Sequence, residues 1–179
     1  MPRYVGIFNL PALMTCTPSD WCKENCYALQ GRFLWKTIKE AHYRNYVKSL
    51  DPDFIWRMIQ ELRRRKSLLY IRVHISGDFY NADYVIQWAA IASAFPNIIF
   101  RTNTRRQDLI PLMKEAFPKN FVVRESIDIT RKSMGIFPVA AIKGTPGSNK
   151  FFVCQDNCEK CNFSCWHNPN IHVVTSKIR

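Results

Sequence analysis

The sequence predicts an α/β fold: a partial, open β/α barrel of about six mostly parallel strands, one domain over residues 1–179, with a cysteine-rich segment at 154–165. Three observations predict it. Short β-forming runs alternate with amphipathic helical runs, the pattern of parallel β-α units with right-handed crossovers. At 179 residues the chain suits one domain with one core but is too short for a complete barrel. Polar residues recur where successive strands end, which is where open α/β sheets bind ligands. A doubly wound sheet meets the same observations.

The elements follow in order. Residues 3–10 read as a first strand, and a loop with three cysteines follows. "LWKTIKEAHYRNYVKSL" reads as a mostly polar helix. Asp51-Pro52-Asp53 is expected to cap a second helix, with Phe54, Ile55, Met58, Ile59 and Leu62 at helical spacing. "SLLYIRVHIS" is strand two, ending at Gly77-Asp78. "NADYVIQWAAIASAF" places Val85, Trp88, Ile91, Ala92 and Phe95 on one helical face. "NIIFRTNT" is strand three, and "RQDLIPLMKEAF" is a helix with a proline near its start, where it is tolerated. "NFVVRESID", "IFPVAAIKG" and "NIHVVTS" complete the strands.

Composition narrows the function. The content of 47% hydrophobic and 13% aromatic residues implies an ordered globular chain. A formal charge of +12 favours an anionic partner, nucleic acid or a phosphorylated compound, although metal-bound thiolates would remove much of the excess. The apolar stretch after Arg3 is broken by Asn9 and Pro11, so no signal peptide is expected. No run is apolar enough to predict a membrane span, and a cytoplasmic protein is expected.

Seven cysteines cannot all pair within one chain. They fall into two groups, Cys16, Cys22 and Cys26, then Cys154, Cys158, Cys161 and Cys165, which reads as metal or iron–sulfur binding. The first group is one thiol short of a closed tetrahedral site. Four thiols within "CQDNCEKCNFSC" can close around a metal by themselves. A [4Fe–4S] cluster and structural zinc both fit them, and the compact run favours the cluster. His74 lies inside strand two, where a satisfied core histidine is the expectation.

The motif order resembles the radical S-adenosylmethionine (SAM) superfamily. Its cysteine triad follows strand one, as Cys16, Cys22 and Cys26 do, with Tyr27 as the aromatic beside the third. The spacing here is C-x5-C-x3-C, where the superfamily's usual one is C-x3-C-x2-C, the spacing found at Cys154, Cys158 and Cys161. Its turn after strand two resembles Ser76-Gly77-Asp78, its Thr-Asn-Gly resembles Thr102-Asn103-Thr104, and its Ser-Leu-Asp resembles Ser126-Ile127-Asp128. "FNLPA", "CYAL", "HISGDFY" and the terminal cysteines resemble the gene-eighty-eight products of phages, which suggests a phage or mobile element as source.

The resemblance implies an enzyme. One [4Fe–4S] cluster on Cys16, Cys22 and Cys26 would bind SAM at its open iron. Reduction by a flavodoxin- or ferredoxin-like donor would then cleave SAM to a 5′-deoxyadenosyl radical. Asp78 would accept hydrogen bonds from the methionine ammonium, and Thr102, Asn103, Ser126 and Asp128 would bind the rest of SAM. Arg105 and Arg106, directly after the Thr-Asn motif, are the candidates for an anionic substrate. Two rival readings stand: a non-catalytic iron–sulfur or zinc protein that binds nucleic acid, and a degenerate relative that holds clusters without cleaving SAM.

Overall fold

The computed structural model describes residues 3–175. Seven strands form one sheet: β1 Val5–Phe8, β2 Tyr70–Val73, β3 Ile99–Thr104, β4 Phe121–Ile127, β5 Val139–Ile142, β6 Phe152–Val153 and β7 Val173–Thr175. Every neighbouring pair is parallel, and the order is β1-β2-β3-β4-β5-β7-β6. The expectation of an α/β fold with an open, parallel sheet therefore holds. The order has no reversal between β1 and β5, so the sheet is not doubly wound. The additional strand is β6, whose two residues are too short to show an alternating pattern. Ser176, the end of the expected last strand, lies outside the described residues.

The helices are α1 Asp20–Glu24, α2 Lys36–Ser49, α3 Phe54–Arg64, α4 Ala82–Ser93, α5 Ile110–Ala116 and α6 Ser164–His167. α2 begins two residues later than its sequence suggests, because Gly31–Leu34 form a separate tight turn. The N-cap of α3, Asp53, makes no side-chain bond; Asp51 Oδ1 instead accepts from the Asp53 amide at 2.9 Å. Asn81 caps α4, its side chain accepting from Tyr84 N at 2.8 Å. No helix crosses from β4 to β5. The buried Glu125 carboxylate organises that loop, accepting from the amides of Met134, Ile136 and Phe137 and from the Ser133 hydroxyl.

A parallel sheet needs cover on both faces, and side chains alternate between them along each strand. Phe8, Ile71, Val73, Phe100 and Val123 face the main core with Phe54, Trp88 and Met113 of the helices. Trp88 is at its centre, fully buried and edge-on to Phe8 at 5.2 Å. The opposite face carries Tyr70, Ile99 and Val173, covered by Phe163 and Trp166 from the C-terminal part of the chain. Phe163 stacks on Tyr70 with ring centroids 4.1 Å apart. The cysteine-rich segment thus serves as the lid of the sheet's second face. Among the described residues, no helix is long and apolar enough to cross a membrane.

Candidate functional site

The site is built where β1 and β2 end side by side. Asn9, the one polar residue in "YVGIFNL", accepts from the amides of Ile75 (2.8 Å) and Ser76 (3.2 Å) through Oδ1. Leu10 N donates to Ser76 O at 3.0 Å, and Ser76 Oγ donates to Leu10 O at 2.9 Å. The strand ends are locked together just before the chain turns at Gly77, φ +79°. A Cβ there would stand 2.6 Å from Leu10 Cβ and 2.7 Å from Thr15 Oγ1, so both the conformation and the space demand glycine.

The turn delivers Asp78, which is buried. Its carboxylate accepts from Phe79 N (2.8 Å), Thr104 Oγ1 (2.8 Å) and Arg105 N (2.7 Å). Burial outweighs these bonds and raises its pKa to about 6. Three bonds on two oxygens leave one acceptor position open.

The first cysteine loop is pinned at its ends. Ser19 Oγ caps α1 by accepting from Cys22 N at 3.1 Å, and it donates to Asp128 Oδ2 at 2.9 Å. Beyond α1, the Tyr27 hydroxyl donates to the carbonyl of Ile75 at the end of β2. Between those anchors α1 buries no residue, so the segment carrying Cys22 and Cys26 is held by its ends rather than by core packing.

The three thiols line one small pocket, of about 100 Å³. Its wall also includes Tyr27 from beyond α1, Ser76, Gly77 and Asp78 from the end of β2, and Asn103, Arg105 and Ser126 from the ends of β3 and β4. Three of the predicted residues do not line it. Thr102 shares the helix-facing side of β3 with Phe100 and is fully buried there. Asp128 is consumed by its neighbours, accepting from Ser19, Arg105, Thr130 and the Arg131 amide. Arg106 is forked onto Asp108 at 2.9 and 2.7 Å and donates to Phe79 O. His74 is buried as expected but follows β2 rather than lying inside it, at φ 63°, and it borders the pocket. Its Nε2 lies 3.0 Å from Tyr84 OH, while Nδ1 has no partner among the described residues, so the histidine is only half satisfied. Burial lowers its pKa to about 3.

All seven cysteines carry free thiols. Burial pushes the Cys16 thiol up to about 12, with the Asp78 carboxylate and the neighbouring thiols of Cys26 and Cys22 acting in the same direction. Burial also raises Cys22, against the pull of Arg105. In the second group, Cys154 and Cys158 line a larger cavity of about 480 Å³, and Cys165 is buried beside Phe163 and Trp166. The Cys161 thiol donates to the Cys158 carbonyl at 3.5 Å. Among the described residues, no three His, Cys, Asp or Glu side chains stand close enough, as placed, to hold a metal ion.

The two cavities share a wall. Tyr27, Arg72, Ile75, Asn103, Ala140 and Thr175 border both, so the two cysteine groups open toward one space over the sheet. Sequence reasoning missed Arg72, Asn9 and Thr15. Asn9 and Arg72 were detectable as polar residues inside apolar strands, whereas nothing in the local pattern marks Thr15.

The family model described as Gene product 88 matches residues 2–160. The chain belongs to that family. The Gene product 88 match covers both the first cysteine loop and the strand ends that build the pocket. A curated relative, the Gene 88 protein of Mycobacterium phage L5, is 27% identical over 73 residues, which is 41% of this chain and 30% of the relative. The chain thus spans less than a third of that protein's length. No solved structure matches the chain.

Proposed function

We propose that this Gene product 88 protein is an iron–sulfur enzyme of the radical SAM type, built on a partial β/α barrel. The observation that carries the reading is the shared pocket of Cys16, Cys22 and Cys26 with Asp78, Asn103 and Ser126, at the carboxyl ends of the first four strands. A thiolate nucleophile needs a lowered pKa, but Cys16 and Cys22 are raised. Such thiols ionise when a cation coordinates them, so the donor set fits a metal cluster better than covalent catalysis.

In this reading Cys16, Cys22 and Cys26 would hold a [4Fe–4S] cluster, with Cys22 and Cys26 on the segment between the Ser19 and Tyr27 anchors and Cys16 just before it. When bound, the cluster supplies one-electron cleavage of SAM's sulfonium. The chain's own residues orient the ligand. Asp78 offers its remaining acceptor position to an ammonium, while Asn103 and Ser126 present polar atoms from adjacent strands. The pocket over the thiols is below the roughly 300–1,000 Å³ of small-molecule sites, whereas the adjoining cavity falls within that range. A ligand at the thiols therefore extends along the shared wall.

Anaerobic reconstitution tests the proposal. The reduced protein is expected to change its paramagnetic resonance spectrum on SAM addition and to release 5′-deoxyadenosine and methionine. Ala at any of the three cysteines abolishes release, and Asp78→Ala mainly weakens binding. A loaded cluster that binds SAM without cleaving it overturns the catalytic reading and leaves a cluster-binding protein. Iron, sulfide and zinc content then decides what the second cysteine group holds.

A further inference from the structure

The face of the sheet beneath the cysteine-rich segment holds three arginines on adjacent strands: Arg72 on β2, Arg101 on β3 and Arg124 on β4. Arg124 is fully buried; its Nε and Nη2 donate to the carbonyls of Ile171 (3.2 Å) and Asn168 (3.0 Å), which pins the C-terminal segment. Although its Nη1 has no partner among the described residues, Arg124 does not line the cavity. Arg72 and Arg101 differ. Both line the 480 Å³ cavity. Among the described residues neither has a carboxylate within ion-pair distance.

Their protein partners are few. Both guanidinium groups reach toward the same Asn103 side chain, Arg101 Nη2 at 3.4 Å and Arg72 Nη1 at 3.5 Å from Oδ1. With the amide turned over, which satisfies both its ends, its oxygen accepts from Arg72 Nη2 at 3.1 Å. Arg101 is 8% exposed, and its buried Nε has no hydrogen-bond partner. Its guanidinium carbon lies 5.7 Å from the Trp166 ring, which braces its plane. Burial and mutual repulsion with Arg101 act against the charge on Arg72, lowering its pKa to about 10. The groups that favour its charge are Tyr27 and the thiols of Cys165 and Cys158, not a carboxylate. The cavity's own carboxylates are on the segment above, Asp156 and Glu159, and Glu159 Oε1 already accepts from the Tyr4 hydroxyl at 2.8 Å.

Two guanidinium groups converging on one space with spare donors make an oxyanion receptor, because their planar forks match phosphate and carboxylate geometry. We infer that Arg72, Arg101 and Asn103 bind the phosphate or carboxylate group of a small organic anion in the cavity between the two cysteine groups. Arg72 borders both cavities, so the bound anion places its attached body against the first cysteine pocket. Calling that anion the substrate rests on the iron–sulfur reading; the binding itself does not.

The test is calorimetric titration of the full chain, anaerobic and at low salt, with inorganic phosphate, adenosine monophosphate and succinate as separate probes. At least one probe is expected to bind saturably, and the pattern among them tells phosphate from carboxylate. Arg72→Gln or Arg101→Gln weakens that binding tenfold or more, whereas Arg63→Gln combined with Arg64→Gln, at the end of α3, leaves it unchanged. Should a glutamine variant fail to fold, phenylglyoxal labelling of the unmodified protein gives the answer, with the bound probe protecting Arg72 and Arg101. No saturable binding, equal loss in the α3 variant, or labelling without protection each overturns the site. So does an Arg101→Gln protein that binds the probe normally but loses metal from the second cysteine group, since the arginines would then serve the thiolates. None of these readouts depends on SAM cleavage.

Discussion

Arg105 Nη1 lies 2.5 Å from Asp128 Oδ2, an ion pair whose side chains are 13% and 0% exposed. It joins the end of β3 to the end of β4. Because the same Asp128 oxygen accepts from Ser19 Oγ, the pair also holds the start of the first cysteine segment. Burial alone would raise the Asp128 pKa, but bonds from Thr130, Ser19 and Arg105 overcome it and hold it at about 2.

Replacing Asp128 by Asn should therefore destabilise the protein and loosen the cysteine loop together. Removing one partner of a buried pair costs about 3–5 kcal/mol. Urea denaturation at neutral pH should show a loss of that order. The carboxylate's contribution is complete above its unfolded value, near 3.8, and disappears as pH falls toward 2. The gap between wild type and Asp128→Asn should narrow across that window. A gap independent of pH would mean that the charge is not what stabilises the loop.

The strands and helices with strong periodicity were legible in the sequence. β2 to β5 and the apolar face of α4 are set by local alternation and by residues such as Trp88, which one face of a helix must bury. β6 was not, because two residues carry no period. The site was legible as a list of polar strand ends but not as a partition of them. Thr102 and Asn103 are neighbours in sequence, yet strand alternation sends Thr102 to the helices and Asn103 to the cavity. Asp128 looked like a ligand contact because its four partners come from Ser19, Arg105, Thr130 and Arg131, pairings that only the fold reveals. Arg101 stood out in the sequence only as a basic residue near the Thr-Asn motif, and Arg72 and Arg124 went unread, because a parallel strand buried on both sides is expected to be apolar throughout.

Gly77→Ala should be among the most damaging small substitutions. The added Cβ meets Leu10 Cβ at 2.6 Å and Leu10 C at 2.9 Å, and φ +79° disfavours any L side chain. Left-handed strain alone is worth about 1–3 kcal/mol, and the clash adds to it by prying β1 from β2. Thermal unfolding of Gly77→Ala should drop well below that of Gly135→Ala, where φ is also positive but no atom lies within 4 Å. Equal losses would put the cost in backbone strain and remove close packing from the account.

His74 makes a signed prediction about acid. Its folded pKa is lowered to about 3 by burial, against about 6.5 unfolded. The unfolded chain takes up a proton that the native one refuses, so stability falls as pH drops from 6.5 toward 3. Asp78 acts oppositely between its unfolded value, near 3.8, and about 6, where the folded state holds the extra proton. In His74→Gln, which keeps a partner for Tyr84 but does not titrate, the penalty vanishes and the Asp78 contribution remains. The stability of this variant relative to wild type should grow with acidification, by at most about 1.4 kcal/mol per pH unit. Parallel pH profiles would show that His74 is protonated in the native protein.

The two cysteine groups should differ in what they do for stability. The second is folded into the cover of the sheet, with Cys165 in the cluster of Phe163, Trp166 and Val173. Its backbone is also strained: Asp156, Asn162 and Phe163 have φ of 63°, 47° and 54°. Such conformations persist only where the surroundings enforce them, and a closed metal site on four thiols would do so. The first group lies on and around α1, which buries nothing, and its three cysteines are only partly buried and outside the hydrophobic core, so its loss leaves the core intact. Cys161→Ala should therefore lower the melting temperature more than Cys16→Ala does, in protein prepared anaerobically. A chelator should lower the melting temperature of wild type and of Cys16→Ala but change Cys161→Ala little, because that variant has already lost the closed site. If the three proteins melt together with and without chelator, the second group holds no stabilising metal. The Tyr70–Phe163 stack and its neighbours must then hold the strained segment alone.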